Sequence, residues 1–281
     1  MSIISIARSK FHNALFEKIL TVSGEERIPS IADKDNKSSI QISQNLISKI
    51  GNPKSVKAKI KGQSAGAIFE DICANFLRET FPHLSAIRPG SFSVEKGGII
   101  SQFDQYGHLD EIDALIKNNE AVKAALGSDY LIKPDIIVSR FPEDDKTINM
   151  EENVVNDEVG KLSPIRSIYN TKRILHASIS CKWTIRSDRA QNSRSEGLNL
   201  IRNRKGRLPG IAVITAEPLP TRIASIALGT GDLDCVYHIA LQELKAATIA
   251  TGLDDARDLL DLMIKGRRLR DIADLPLDLA I

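Results

Sequence analysis

The 281-residue sequence lacks the features that mark secreted, disulfide-bonded or zinc-stabilised proteins. Its three cysteines, Cys73, Cys181 and Cys235, lie far apart and form no C-x-x-C pair, which argues against a disulfide framework and a structural zinc site. The amino-terminal segment carries charges throughout, unlike a signal peptide, and no apolar run approaches the length that crosses a bilayer. These absences predict a soluble protein of the reducing cytoplasm that has no membrane partner.

Several common catalytic motifs are also missing. The GKLS at 160–163 matches the end of a phosphate-binding P-loop, but Val155 stands where a glycine is needed. The GTG at 229–231 follows no dinucleotide-binding pattern, the five histidines show no metal-ligand spacing, and no G-x-S-x-G nucleophile elbow is present. The candidate chemistry that remains is that of carboxylates and lysine.

Charge of one sign is not in excess overall, since the formal net charge is only +2, but it is unevenly distributed. The segment 166–207 contains eleven Lys or Arg and two acidic residues, whereas 143–158 contains seven acids and one lysine. Basic charge gathered in one segment is typical of a site for a polyanion such as nucleic acid. Taken alone, however, such a run is explained equally well as a solvated basic face.

Hydrophobic periodicity predicts strands and helices in alternation. We expect helices over 4–21, 39–50, 63–81 (capped by Ser64), 109–125 and 187–203, strands over 130–141, 173–185 and 210–216, a helix within 225–250, and short helices over 253–265 and 267–273. Residues 143–172 lack a period and are expected to form a long surface excursion. Because the elements interleave without a break in composition, we expect one α/β domain over 1–281.

An aspartate and a lysine on two of these strands suggest a catalytic pair. Asp135 lies within an apolar strand, where an ionised carboxylate is costly unless a partner such as a divalent cation compensates it. Lys182 ends the next strand, and Ser180 shares its face because side chains alternate with period two. Together they form the skeleton of a metal-dependent phosphodiester hydrolase. The alternative is that Asp135 is a solvent-facing residue at a sheet edge.

The acid that usually precedes such a lysine by two residues is absent, because that position is Ser180. Glu196, fourteen residues after Lys182 on the next predicted helix, is placed to bring a carboxylate to the same region. Glu70, on the 63–81 helix, is a further candidate, although a glutamate beside Asp71 is often a plain surface residue.

The start of the 187–203 helix carries a cluster suited to reading G·C pairs. Arg186 and Arg189 are of the type that grips guanine O6 and N7, and Asp188 is of the type that accepts from the cytosine amino group. A helix amino terminus is also a common element for entering the major groove. The alternative is a salt-bridge cluster at the start of the helix.

Separate blocks of sequence carry a specific resemblance: PDIIV (134–138), HASISCKWTIRSDRAQNSRSEGLNLIRNRKGRLPGI (176–211) and TAEPLPTRIASIALGTGDLDCVYH (215–238). They closely resemble the NgoMIV-like type II restriction endonucleases, a CCGG-recognising group of the PD-(D/E)XK nuclease superfamily. The likeness extends over most of the chain and weakens around 1–30, 91–126 and 142–172. It implies the restriction-endonuclease-like fold, a mixed central β-sheet flanked by helices.

The resemblance also implies a set of site residues. Asp135 resembles the principal metal-ligating carboxylate, the backbone carbonyl of Cys181 a second ligand, and Lys182 the catalytic lysine. In this group the second acid is displaced from the strand to the neighbouring helix, which accounts for a serine at position 180 and an acid at Glu196. Glu70 and Glu196 resemble the remaining acidic members and metal ligands of the site.

The positions that contact DNA follow in the same way. Arg186, Asp188 and Arg189 match the residues that read the central CCGG, and Gln63 resembles a minor-groove contact to the inner pairs. Asp33 and Arg222 match the positions that read the outer G·C pair.

The implied activity is that of a Mg²⁺-dependent endonuclease with one or two ions per active site. It would cut duplex DNA at GCCGGC after the first G and leave four-base 5′ overhangs. The implied assembly is a homotetramer that binds two DNA sites, with a cognate DNA methyltransferase as its genetic partner. The alternatives are a sequence-specific DNA-binding protein that does not cleave and a less specific repair nuclease of the same fold.

Overall fold

The computed structural model describes residues 1–55, 62–111, 114, 132–185, 187–229 and 231–281, with the backbone alone described at residues 62 and 187–191. Its amino-terminal part comprises α1 (Ile3–Lys18), the short strands β1 (Val22–Ser23) and β2 (Ile28–Pro29), α2 (Lys37–Ile50) and α3 (Gly62–Thr80). The 3₁₀ turn Phe81–Leu84 follows α3, and two more 3₁₀ turns (Ile100–Gln102 and Asp104–Tyr106) follow the next strand.

The remaining elements alternate between strand and helix. They are β3 (Phe92–Lys96), β4 (Ile136–Arg140), the helical turn α4 (Asp145–Ile148), β5 (Ile174–Lys182), α5 (Ser187–Asn203), β6 (Gly210–Thr215), α6 (Pro220–Ala227), β7 (Cys235–His238), α7 (Leu241–Ala250), α8 (Asp254–Lys265), β8 (Leu269–Asp271), a 3₁₀ turn (Ile272–Asp274) and α9 (Leu275–Asp278).

Strands β3 to β8 form one mixed sheet in the order of the chain. The pairs β3/β4 and β4/β5 are antiparallel, whereas β5/β6, β6/β7 and β7/β8 are parallel. Parallel neighbours need a crossover, and α5, α6 and the pair α7 and α8 supply the three connections. β5 is therefore the strand at which the antiparallel half meets the parallel half.

The sheet is buried because helices cover it. Every residue of β7 is buried, and so are all residues of β4 except the last and all residues of β6 except the first, as is typical of strands with helices packed on them. Helix α3 packs against β3 and β5, while α1 packs on α3. On α3 the apolar stripe that the sequence predicts is present, with Ile72, Phe76 and Leu77 buried and Ile68 partly buried.

Most of the predicted elements are confirmed, including the helices over 4–21, 39–50, 63–81, 187–203 and 253–265 and the strands over 173–185 and 210–216. The α/β class with a mixed central sheet is also confirmed. Within the predicted 109–125 helix, residues 109–111 and 114 are helical, and the rest of that prediction lies outside the described residues. Among the helices described, none combines the length and apolar character that a bilayer-spanning segment requires.

The helix predicted within 225–250 is confirmed as α7, and strand β7 also lies in that segment. Three local predictions are wrong. Residues 267–273 contain β8 and the start of a 3₁₀ turn instead of a helix, since three residues pair with β7. Ser64 lies inside α3, which begins at Gly62, so it is not the cap. The strand predicted over 130–141 is present over Ile136–Arg140 but not over 132–135, and residues 130 and 131 lie outside the described residues.

The excursion over 143–172 is largely irregular, as predicted, but it is organised around one buried side chain. Arg166 is only 1% exposed, and its Nε donates to Asp145 Oδ1 at 2.9 Å. Its guanidinium also donates to the carbonyl of Val159 and lies over the Tyr169 ring, 4.9 Å from the centroid. These contacts let a charged residue be buried at low cost, because its donors are satisfied.

Candidate active site and DNA-reading surface

One edge of the sheet gathers the candidate residues because of its strand directions. Lys96, at the end of β3, pairs with Ile136 at the start of β4. Lys182, at the end of β5, pairs with Thr215 at the end of β6. Since β4 runs antiparallel to both β3 and β5, its beginning lies beside their ends, and the end of β6 adjoins the same edge.

Asp135 lies immediately before β4 rather than in the middle of a strand, which corrects the sequence-based placement. Its Oδ2 accepts a hydrogen bond from the backbone N–H of Cys181 at 2.7 Å and from Lys182 Nζ at 3.4 Å. Its backbone carbonyl accepts from Gly97 N–H at 2.9 Å. The predicted aspartate and lysine are therefore in direct contact, and two neighbouring strands fix the aspartate.

Glu196 reaches the strand position at which the sequence lacks an acid. Its Oε2 accepts a hydrogen bond from Ser180 Oγ at 2.7 Å, although Glu196 lies on α5 and Ser180 on β5. Ser180 is buried, 8% exposed, and Glu196 is partly buried. The carboxylate thus comes from the helix, and the short serine side chain leaves room for it.

Glu70 and Lys96 form the neighbouring part of the site. Lys96 Nζ lies 3.6 Å from Glu70 Oε2 and 2.9 Å from Asp71 Oδ1, and it donates to the carbonyl of Ala67 at 2.9 Å. Burial raises the pKa of Glu70, and the negative charge of Asp135 raises it further. Burial lowers the pKa of Lys96, but its hydrogen bond to Asp71 and the two carboxylates outweigh burial and raise it.

The donor set of this edge fits a hard divalent cation. Two carboxylates, Asp135 and Glu70, are close enough for one charge to raise the pKa of the other, which is the repulsion that a cation would relieve. Carboxylate and carbonyl oxygens are the ligands that Mg²⁺ prefers. Burial and a hydrogen bond with Cys73 raise the pKa of the Cys181 thiol, so its sulfur stays neutral and only its backbone suits such an ion. Within the described part of the chain, three or more His, Cys, Asp or Glu side chains nowhere converge as a metal cage.

A second group of predicted residues meets at the start of α6. Arg222 forms an ion pair with Asp33, so the structure brings together two residues that are 189 positions apart. The same guanidinium lies 4.0 Å from Glu217 Oε2. Both members of the pair are about one-third exposed, so their polar atoms are accessible to a large ligand.

The remaining DNA-contact candidates are described only in part. Gln63 lies in the exposed first turn of α3, seven residues before Glu70 and therefore on the same face of the helix. Asp188 and Arg189 lie in the first turn of α5, but their side chains are outside the described residues, as is the whole of Arg186. The turn that they occupy begins five residues after Lys182.

Two residues of this region, Lys96 and Glu217, were missed by the sequence analysis. Lys96 lies in a stretch without clear periodicity, so no strand was predicted to place it beside Asp135. Glu217 is fully buried two residues after the end of β6, and burial raises its pKa to about 7. An acid between an apolar strand and Pro218 was the signal that would have marked it for attention.

Comparison with known proteins agrees with the geometry. The family model described as NgoMIV restriction enzyme matches residues 11–281. The Type II restriction enzyme NgoMIV of Neisseria gonorrhoeae is 46% identical over 279 residues, which cover 98% of this chain and 97% of that protein. The likeness therefore extends through the whole sheet and every described candidate residue.

Proposed function

Since the chain belongs to the NgoMIV restriction enzyme family and is a type II restriction endonuclease, we propose that it cleaves duplex DNA at GCCGGC with the help of Mg²⁺. The cut falls after the first G of each strand and leaves four-base 5′ overhangs. The observation that carries the catalytic part is the contact of Lys182 with Asp135 beside the hydrogen bond of Ser180 with Glu196.

Asp135 and Lys182 act on the scissile phosphate. The Lys182 side chain is only 15% exposed beside Asp135, so it is positioned to hold a phosphate oxygen or to help deprotonate the attacking water. The two contacts of Asp135 fall on Oδ2, which leaves Oδ1 to hold the cation. Glu196 occupies the role that an acid on the strand would have, with Ser180 fixing its carboxylate.

One or two Mg²⁺ ions would be held by Asp135, the Cys181 carbonyl, Glu70 and Glu196. When bound, Mg²⁺ supplies positive charge for the phosphate and makes water a better nucleophile. For Glu70 this requires that Lys96, which now neutralises it, yields part of its contact. The chemistry is an in-line displacement at phosphorus that inverts the phosphate.

DNA reading is assigned to the two groups beside this edge. Arg186, Asp188 and Arg189 contact the bases of the central CCGG, and Gln63 contacts the minor groove. Arg222 and Asp33 read the outer G·C pair, since a guanidinium suits guanine and a carboxylate suits the cytosine amino group. Their ion pair supports this role because it holds a donor and an acceptor side by side.

We further propose that the whole chain, 1–281, acts as one domain and that four copies assemble as two dimers on two DNA sites. The enzyme would act in the cytoplasm, where a cognate methyltransferase protects the host's own sites. Light scattering of the purified protein measures the number of subunits, and the cleavage of plasmids with one and two sites shows whether both sites must be bound.

The activity is tested by digesting a plasmid that contains a single GCCGGC with Mg²⁺ and sequencing the ends. We expect one cut after the first G on each strand, and none when a chelator is present. Cleavage at unrelated positions would favour the repair nuclease, and specific binding without cleavage would favour the DNA-binding protein.

The Asp135→Ala variant tests the catalytic assignment. We expect it to lose cleavage by several orders of magnitude and to retain binding to GCCGGC, because it removes the cation ligand and leaves the reading residues. Asp258→Ala is the matched control, since Asp258 is an exposed acid of α8 whose carboxylate contacts Arg257. Cleavage by Asp135→Ala within tenfold of the parent would contradict the assignment.

A further inference from the structure

Glu217 is a fully buried carboxylate that lies outside the proposed catalytic and reading sets. It follows β6 and is 0% exposed. Its Oε2 accepts a hydrogen bond from Ile185 N–H at 2.8 Å, and its Oε1 accepts from Leu219 N–H at 3.1 Å. Burying an ionisable group is costly unless both of its oxygens have partners, and here both do. The burial of Glu217 thus depends on these two amides.

The two amides belong to two segments that lie next to proposed functional residues: one follows the strand that carries Lys182, and the other begins the helix that carries Arg222. Ile185 lies three residues after Lys182, in the link between β5 and the first turn of α5. Leu219 is the residue that caps the amino terminus of α6, and its carbonyl accepts from Arg222 N–H at 3.0 Å. One side chain therefore contacts the exit of the catalytic strand and the start of the helix that carries Arg222.

Glu217 also touches the reading group through charge. Its Oε2, which accepts from Ile185, lies 4.0 Å from Arg222 Nη1, while another nitrogen of the same guanidinium binds Asp33. Arg222 thus has a carboxylate on either side, one buried and one partly exposed. This arrangement limits the directions in which the guanidinium can point.

A carboxylate is the only common side chain that meets these requirements. A glutamine of the same length would turn its amide nitrogen toward one of the two N–H donors and would leave a buried donor facing another donor. It would also remove the negative charge beside Arg222. Burying the carboxylate costs desolvation energy, and at this position both of its oxygens accept hydrogen bonds and its charge lies beside Arg222.

We propose that Glu217 is a positioning residue that couples base reading to cleavage, an inference that rests on the proposed function. By holding Ile185 and Leu219 to one carboxylate, it fixes the separation between Lys182 and Arg222. Both residues then address the same duplex in register, the one at the phosphate and the other at the outer base pair. A DNA that does not seat Arg222 correctly is presented less well to Lys182.

The experiment compares the parent with Glu217→Gln and Glu217→Asp, and uses Tyr237→Phe as the matched control. Tyr237 is buried on β7, and its hydroxyl donates to Asp278 at 2.7 Å, so Tyr237→Phe removes a buried hydrogen bond elsewhere. Single-turnover cleavage per titrated active site is measured on GCCGGC and on ACCGGT, which differ only in the outer pair. The assay is run at a pH well above 7, because burial raises the pKa of Glu217 to about 7 and the carboxylate must be ionised. Amide hydrogen exchange at Ile185 and Leu219 is measured without DNA.

For Glu217→Gln we expect the ratio of the rates on GCCGGC and ACCGGT to fall about tenfold, roughly the value of one base-edge contact. Exchange at one or both amides should become at least tenfold faster. Tyr237→Phe should lower stability and leave the ratio unchanged. If Glu217→Gln does not fold, Glu217→Asp decides, because a side chain shorter by one methylene cannot reach both amides and should lower the ratio as well.

If a folded Glu217 variant had the same ratio of rates per active site on GCCGGC and ACCGGT as the parent, the coupling would be overturned and Glu217 would be a merely structural residue. Unchanged exchange at Ile185 and Leu219 in an active enzyme would overturn it too. A parent that does not cut GCCGGC would instead remove the proposed function, and the coupling with it. Cleavage of GCCGGC by the parent protein therefore distinguishes failure of the coupling from failure of the proposed function.

Discussion

Replacing Gly197 by alanine should damage the active site through one misplaced methyl group. Gly197 is buried on α5 and directly follows Glu196, whose carboxylate binds Ser180. A Cβ atom at this position would lie 2.6 Å from the carbonyl oxygen of Asp232 and 3.3 Å from Leu233 Cδ2. The first neighbour is backbone and cannot rotate away, so the helix or the loop around Asp232 has to move.

The size of the effect follows from that distance. Ordinary contact begins near 3.4 Å, so the displacement is about 0.8 Å. Overpacking of this kind costs roughly 1–3 kcal/mol of folding free energy. A displacement of about 1 Å at a catalytic group can lower the rate on the order of 10²-fold. We therefore expect Gly197→Ala to lose roughly 1–3 kcal/mol of stability and to cleave 10- to 100-fold more slowly.

Gly66→Ala is the matched control, since Gly66 lies inside α3 and a Cβ there meets nothing within 4 Å. Alanine should stabilise that helix by up to about 1 kcal/mol because it has the higher helix propensity. Urea unfolding measures the stability of both variants, and single-turnover cleavage with excess enzyme measures the chemical step. If Gly197→Ala matched the parent in both, the close packing of α5 on the Asp232 loop would not govern the position of Glu196.

Glu196→Ala should slow cleavage by orders of magnitude. The double variant Ser180→Glu with Glu196→Ala, which moves the acid onto the strand, should restore part of the rate. If Glu196→Ala had the same single-turnover rate as the parent, this glutamate would not be needed. If Asp188 accepts a hydrogen bond from cytosine, Asp188→Asn should lower specific binding and slightly raise non-specific binding. Competition between GCCGGC and a scrambled duplex at matched salt measures the ratio of specific to non-specific affinity. An unchanged ratio would refute base reading by Asp188. Burial raises the pKa of Glu217 from 4.5 to about 7, so the folded protein binds the carboxyl proton more tightly than the unfolded chain does. Protonation of Glu217 therefore stabilises the fold fully below pH 4.5, and this stabilisation is lost as the pH rises through 7. In Glu217→Gln this loss, about 3 kcal/mol for the parent, should be absent from urea unfolding curves between pH 4.5 and 7.5, and equal pH slopes in the two proteins would contradict the buried titration.

Elements with a strong local pattern could be predicted from the sequence, and those defined by pairing could not. Helix α3 has a continuous apolar stripe, and β6 is a run of apolar residues, so both were found with small errors at their ends. β8 has only three residues and exists because it pairs with β7. Its amino-acid composition alone resembles the end of a helix, which is why a helix was predicted there.

The candidate site divides in the same way. Asp135, Lys182 and Glu196 could be predicted because each has a chemical type and a spacing that the family resemblance supports. The role of Lys96 depends on an antiparallel pairing between strands that are about forty residues apart, which spacing does not reveal. Glu217 stands out in the sequence only as an acid between an apolar strand and Pro218, and its partners, two backbone amides, leave no mark in a sequence.

The position of β5 at the boundary between the two halves of the sheet has a consequence for how activity arises during synthesis and folding. The antiparallel strands before it supply Asp135, whereas Glu196 and Arg222 come from segments made later, which connect the parallel strands. Parallel pairing depends on distant contacts and is slow to form. A nascent or half-folded chain therefore holds an aspartate and a lysine but not the second acid or the outer-pair reader. On the proposed assignment of these residues, the nuclease becomes competent to cut only when the crossovers α5 and α6 have docked, and incomplete chains pose little danger to DNA.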